Sequence, residues 1–357
     1  MDQAMISPDV LEKTNCGAFV VENGIVTYAN QAALSHQVSI GAAITDYICV
    51  GADEYADFTN GKLCLTLNLY GASVNATVVD NGKVHIFYLE SDYEEPELRA
   101  FALAAQHLRE PLANAMTCTN RLHPDIASQG SPEVQEQLAQ LNKNLHRLHR
   151  AICNMSDAAQ YQSPRPSRFE YREISSIFNE VMEKASCHLS IADRKLTYSG
   201  LNETVNTMVD AEKLERALLN MLSNTVKFSP KDSTIHANLR KSGNKLYFSL
   251  ENAFEDTASS NCSNIFNSFL REPGIESPQN GIGLGMTLVQ KTAAAHGGTL
   301  LLQHSAEFGI RLTMTIPIET AKTAKLRSNI RLPIDYAGGF DHTLTELSDV
   351  LPAKLYD

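Results

Sequence analysis

The sequence predicts a multidomain α+β protein, on three observations. As far as about Asp92, short β-like runs alternate with polar turns. Between about 95 and 160, two long stretches space their apolar residues at threes and fours. From about Phe169 to Ile318, helix and strand patterns alternate. A chain of 357 residues with 43% hydrophobic content has room for two or three such units, each with its own core.

Composition narrows the partners. A net charge of −11 supplies no basic stripe to release phosphate counterions, which argues against nucleic acid. No apolar run approaches the length of a membrane span, and no secretory signal pattern opens the chain. The seven cysteines are odd in number and lack C-x-x-C spacing, so reduced thiols in a soluble, cytoplasmic protein are expected.

In the first unit, Ala18 to Val21 and Ile25 to Tyr28 bracket Glu22-Asn23-Gly24, a tight-hairpin signal. Leu63 to Tyr70, Ser73 to Val79 and Lys83 to Leu89 read as a meander, the last two strands joined at Asp80-Asn81-Gly82. This order, with the run Ile25-Val26-Thr27-Tyr28-Ala29-Asn30-Gln31-Ala32-Ala33, resembles a PAS-type sensor domain over residues 1–92. Such a domain holds a ligand in a cavity or is a filled core used for dimerisation. The filled core is preferred, because no cysteine or histidine stands out as a cofactor anchor.

Glu94-Glu95-Pro96 starts a helix in which Leu98, Phe101, Ala105, Leu108, Leu112 and Ala115 share an apolar face. His123-Pro124 is expected to end it near Leu122. Gly130-Ser131-Pro132 opens a second helix, where Leu138, Leu141, Leu145, Leu148, Ile152 and Met155 repeat. The two predict an antiparallel helical hairpin over 93–162. It exposes a seam that a second copy would bury in a dimeric four-helix bundle, so a homodimer is expected. His146, His149 and Cys153 share one face at metal-compatible spacing. With no fourth ligand evident, a solvated helix face is the expectation.

Ser163-Pro164-Arg165-Pro166-Ser167 is a linker stiffened by two prolines, and the third unit runs from 163 to 318. Two blocks within it carry chemistry. Leu218-Leu219-Asn220-Met221-Leu222-Ser223-Asn224-Thr225-Val226-Lys227-Phe228 reads as a helix with two amides, four apart, on its polar face. Asn is a poor helix former, and two in mid-helix favour a functional reading over a merely solvated face. An amide carbonyl suits a phosphate-bound Mg²⁺, and Lys227 one turn on can meet a phosphate. Asn280-Gly281-Ile282-Gly283-Leu284-Gly285-Met286-Thr287-Leu288-Val289 is a glycine-rich run opening into a helix, whose N–H groups could cradle an anion.

In this order the blocks resemble the N box and second glycine box of the sensor histidine kinases and their wider ATPase superfamily. The resemblance implies a two-layer α/β sandwich of the Bergerat type that binds ATP and Mg²⁺. Asn224 would be the metal ligand, Asn220 and Lys227 would sit on the phosphates, and Phe228 would line the pocket. Gly281, Gly283, Leu284, Gly285 and Met286 would form the glycine box. Glu272 to Asn280 looks like the family's lid, and Ile265 to Arg271 resembles its F box with departures at Asn267 and Ser268. His296-Gly297-Gly298 reads structurally, as a helix end with a glycine turn.

Two motifs depart from the family. Leu246, Phe248 and Leu250 alternate as a strand, which puts Asn252 where the adenine-binding Asp belongs, and Phe254 and Asp256 replace the glycines expected after it. Upstream, Ala104-Ala105-Gln106-His107-Leu108-Arg109-Glu110-Pro111-Leu112 resembles the phosphoacceptor segment. Anchoring on Leu108, Arg109, Pro111 and Leu112 puts Gln106 at the phosphorylated position, His107 at that of the acid and Glu110 at that of the threonine. An amide cannot be the nucleophile. An imidazole one residue away can be, but it is turned by about 100° around the helix.

The expectation is therefore a degenerate histidine kinase signalling through a sensor, a dimeric bundle and an ATPase-like domain. One alternative is autophosphorylation on His107 with transfer to a response regulator. Another is a non-enzymatic partner that heterodimerises with an intact histidine kinase. The tail, 319–357, lies outside the usual ATPase domain. Ala337-Gly338-Gly339 is a turn, Thr343 to Val350 could form one short helix, and the segment is too apolar for a plain solvated tail; docking on its own domain is preferred to serving as a partner peptide.

Overall fold

The computed structural model describes residues 11–14, 16–82, 84–90, 95–160, 168–252, 284–305, 309–319 and 340–356. Asn23 and Gly24 both take positive φ, 50° and 79°, so a two-residue turn joins β1 (Ala18–Glu22) to β2 (Ile25–Ala29). Asn30 then caps α1 (Gln31–Ser35), its side chain accepting from the Ala33 N–H. After β3 (Ile48–Val50) and α2 (Ala52–Ala56) come the meander strands β4 (Lys62–Leu69), β5 (Ala72–Asp80) and β6 (His85–Leu89). The N-terminal strands lie antiparallel in the order β2-β1-β6-β5-β4, with β3 on β4. Phe19 and Phe87 stack at 4.7 Å in their core.

Two long helices follow, α3 (Glu95–Gln129) and α4 (Pro132–Gln160). The expected end at His123-Pro124 is corrected: α3 runs through Pro124, as it does through Pro111. A proline removes one backbone bond and crowds the preceding turn. The helix nonetheless continues, and the Gly130 N–H closes its last turn on the Ile126 carbonyl at 2.7 Å. The apolar repeat of α4 divides in two. Leu138, Ile152 and Met155 are buried, and Ile152 and Met155 pack with Ala105, Leu112 and Met116 of α3. Val134, Leu141 and Leu148, seven apart, remain exposed together with Leu108 of α3.

The third unit contains β7 (Glu170–Glu173), α5 (Ile174–Ile191), β8 (Lys195–Ser199), β9 (Asn206–Val209) and α6 (Ala211–Phe228). β10 (Thr234–Ser242), β11 (Lys245–Asn252), α7 (Leu284–Ala295), β12 (Leu300–Ser305) and β13 (Gly309–Pro317) complete it. The sheet order is β12-β13-β11-β10-β8, antiparallel except for the parallel β10–β8 pair. One sheet face packs on the helices: Phe178 and Met182 of α5 and Leu218 and Leu222 of α6 share a core with Ile235, Phe248 and Met314. β7 and β9 pair separately.

A sheet junction, absent from the sequence reading, joins the N-terminal unit to this one. β4 pairs antiparallel with β12, setting Cys64, Leu63 and Lys62 opposite Leu300, Leu301 and Leu302. The combined sheet has 11 strands among the described residues. Gly61 has φ 93°, and a Cβ there would overlap the Leu302 carbonyl, so only glycine fits the joint. Lys245 Nζ adds bonds at 2.9 Å to Asp53 and Glu54, and Gln290 donates to Glu90 at 2.6 Å.

The tail does dock. Asp341 caps α8 (His342–Glu346), accepting from the Leu344 N–H at 2.8 Å, and a 3-10 turn follows at Ala353–Tyr356. Leu347, Leu351 and Tyr356 enter the core of the third unit, and the segment lies between α4 and α6. Among the described residues, no helix is long and apolar enough to cross a membrane.

Candidate nucleotide site

α6 carries most of the site, and its start is fixed from two sides. Asp210 caps it, accepting from the Lys213 N–H at 3.2 Å, while the Asp210 N–H donates to His296 Nε2 at 3.0 Å. His296 Nδ1 in turn bonds the Thr292 carbonyl at 2.7 Å, and burial pushes its pKa down. A neutral ring with its proton on Nδ1 satisfies both bonds. Gly297, at φ 70°, completes the glycine turn read from the sequence.

From that start, Arg216, Asn220, Asn224 and Lys227 follow at helical spacing on one face. Asn220 is fully buried, and its amide is committed at both ends. Nδ2 donates to the Arg216 carbonyl at 3.0 Å and to Glu346 Oε2 at 3.1 Å, while Oδ1 accepts from Arg150 Nη2 at 3.1 Å. Gly285 lies against the same amide. A Cβ there would come within 2.7 Å of Asn220 Oδ1, closer than a side chain tolerates, and within ordinary contact, 3.9 Å, of Asn224 Nδ2. Asn224 is half-buried.

Glu346 of the tail is itself fully buried. Oε1 accepts from Arg216 Nε, and Oε2 accepts from Arg150 Nε and from Asn220, all at 3.1 Å. Asp349, three residues on, accepts from Arg150 Nη1 at 2.8 Å and Arg147 Nε at 2.9 Å. Burial alone would raise the Asp349 carboxyl, but Arg150, Arg147 and Lys227 outweigh it and hold the pKa below its ordinary value. Arg216 also bonds Asn154 at 3.0 Å and pairs with Asp157, both on α4. Lys227 is half-buried; burial lowers its pKa, and Asp349 opposes that fall.

The α4 face with His146, His149 and Cys153 is not the solvated face expected. The tail covers it. His146 Nδ1 lies 3.1 Å from Thr345 Oγ1, its ring contacts those of Phe340 at 5.8 Å and Tyr356 at 5.1 Å, and His149 meets Phe340 edge-on at 5.5 Å. Burial, with His149 beside it, pushes the His146 pKa down to about 4. Among the described residues no His/Cys/Asp/Glu group is arranged to hold a metal ion.

Other expected site residues are placed as follows. Asn252 ends β11 almost fully buried, donating to Ser229 Oγ at 2.8 Å and accepting from the Ile310 N–H at 3.3 Å. Both halves of its amide are thus engaged within the protein. Phe228 packs against the core, 5.8 Å from Lys227 Nζ, and Met286 is buried in that core. Leu284 begins α7. Gly281, Gly283, Phe254, Asp256, the lid and the F box lie outside the described residues. On α3, Gln106 and His107 are both exposed, and Arg109 ties their helix to Ser156 of α4 at 3.2 Å.

Sequence reasoning missed Arg147, Arg150, Arg216, Glu346 and Asp349. Complementary pairs, Arg147 with Arg150 and Glu346 with Asp349, each three apart on a helix or turn, were the available signal.

The donor set suits an anion with a hard cation. Guanidinium and ammonium groups face oxygen acceptors, and Asn224 offers an amide oxygen of the kind Mg²⁺ accepts. Residues 209–320 match the family described as histidine kinase-, DNA gyrase B- and HSP90-like ATPase. Hybrid signal transduction histidine kinase D of Dictyostelium discoideum is 26% identical over 238 residues, covering 64% of this chain and 15% of that protein. Sensor protein KdpD of Escherichia coli K12 is 27% identical over 231 residues, covering 64% and 25%. The chain therefore spans a quarter or less of these relatives' lengths. Full-length ShkA in complex with AMPPNP aligns with a TM-score of 0.49 at 19% identity, over 62% of this chain and 46% of that one.

Proposed function

We propose that the chain is a signalling protein of the histidine kinase family and, within it, a degenerate member, a pseudokinase. In this reading residues 1–92 are a PAS-like sensor, 93–162 a dimerising hairpin, and 163–318 an ATPase-like domain that responds to nucleotide without phosphorylating the hairpin. Residues 319–357 are a tail acting on the last of these. The observation that carries it is Gln106, exposed on α3 at the acceptor position, where an amide offers no nucleophile.

The N-terminal strand order, five antiparallel strands with short helices between β2 and β4, supports the sensor assignment. The exposed stripe of Val134, Leu141 and Leu148 supports a dimer, since a second hairpin would bury it. ATP with Mg²⁺ is the proposed ligand, with Asn224 toward the metal and Lys227 toward the phosphates. A response regulator or an intact histidine kinase is the proposed partner.

A second reading, autophosphorylation on His107, is favoured by that side chain being exposed as a nucleophile must be. Labelled ATP with Mg²⁺ separates the two. A folded wild type that takes up no acid-labile phosphate fits the pseudokinase, and uptake abolished in His107→Ala establishes the kinase.

A further inference from the structure

We propose that the tail segment 340–356 is the built-in occupant of the nucleotide site, and that Mg-nucleotide and tail exclude one another there. The inference rests on the ATP-site reading of α6 and goes beyond it by naming what fills and regulates that site.

Tail and nucleotide share their chemistry. Glu346 and Asp349 present four carboxylate oxygens, acceptor-only and anionic, as the oxygens of a polyphosphate are. The groups they engage are those a polyphosphate would need: Asn220 at the start of the amide pair and the guanidinium groups of Arg150 and Arg216, with the Lys227 ammonium close enough to Asp349 to feel its charge. With the tail away, Arg147, Arg150, Arg216 and Lys227 would face one another with Asp157 and Glu215 as nearby acids, an arrangement that attracts anions.

Glu346 gains its position from these contacts, because a five-residue helix has no stability of its own. The apolar anchors Leu347, Leu351 and Tyr356 keep the carboxylates in register. Arg150 couples the site to the hairpin. The one guanidinium reaches Glu346, Asp349 and Asn220 together, so α4 holds the closed arrangement that nucleotide would have to open.

The test is Mg-AMPPNP binding by calorimetry to the full chain, in wild type, in Glu346→Gln/Asp349→Asn and in Leu347→Ala/Leu351→Ala. The second variant loosens the tail without altering charge. Both variants are expected to bind at least about tenfold more tightly than wild type, because the competent state no longer has to be freed from the tail. Saturating Mg-AMPPNP is expected to speed amide exchange across 340–356 in wild type, a readout that does not depend on either variant folding.

Equal affinities, or a wild-type tail that stays protected at saturation, would overturn the competition. A gain confined to the charge variant would reduce it to plain electrostatics and overturn it equally. If a variant with a freely exchanging tail binds no nucleotide, the ATP-site reading itself has failed and the competition falls with it.

Discussion

The third unit is held on two sides by contacts of opposite character. On one side β4 continues its sheet through β12 with main-chain bonds and a glycine that fits closely against the neighbouring strand. On the other, the tail and α4 reach α6 through buried arginine–carboxylate bonds centred on Glu346. Backbone pairing offers a small anion nothing to replace. A carboxylate on a guanidinium can be exchanged for a phosphate oxygen at little cost in bonding. The difference assigns the junction to holding the N-terminal unit in place and the tail to being displaced.

The sharpest way to break this contrast is Glu346→Ala, which removes the shared acceptor of Arg150 and Arg216. Breaking a buried pair costs about 3–5 kcal/mol. Here the loss is capped by the docking free energy of the tail, since a released tail lets both arginines hydrate. The expected result is near-complete loss of exchange protection across 340–356, with the β4–β12 amides unchanged.

Gly61→Val is the converse. A side chain at φ 93° against a carbonyl costs about 2 kcal/mol or more, and it should open the amides pairing β4 with β12 while the tail stays protected.

Acidification comes third. His146 of α4 is held near pKa 4 beneath the docked tail, among His149, Asp341, Thr345 and the rings of Phe340 and Tyr356. An undocked His146 titrates at its ordinary value, so between pH 6.5 and 4 the released state takes the proton that the docked state refuses. The contribution of His146 to tail docking is fully present above pH 6.5 and is lost as pH falls toward 4, by at most about tenfold per pH unit. Exchange at pH 7 and pH 5, corrected for intrinsic rates, should show this at 340–356 and not at the junction.

The smallest effect is expected from Arg147→Ala. Its pair with Asp349 is partly exposed and Arg150 remains, so tail docking should weaken by less than about 1 kcal/mol by the same exchange measurement.

What was legible in the sequence was local. The Asn23-Gly24 turn, the alternation of Leu246, Phe248 and Leu250, and the paired amides of α6 are short-range patterns set by backbone geometry and periodicity. The β4–β12 junction was not legible, because an edge strand advertises itself through backbone groups common to every residue. The bond between Arg150 and Glu346 spans 196 positions, and each side chain alone reads as an ordinary surface charge. The histidine face of α4 looked solvated for the same reason: what covers it arrives from the far end of the chain. The continuation of α3 past Pro124 was not legible either, because a proline is a local breaker that this helix nonetheless runs through.

In the pseudokinase reading this ATPase-like domain does not phosphorylate its hairpin, even when its site is open. The most direct test is acid-labile phosphate incorporation from labelled ATP and Mg²⁺ into Glu346→Gln/Asp349→Asn, with and without His107→Ala. The account predicts no label in either protein. Label in the tail-released protein that disappears with His107→Ala would contradict it and make the chain a kinase restrained by its own tail.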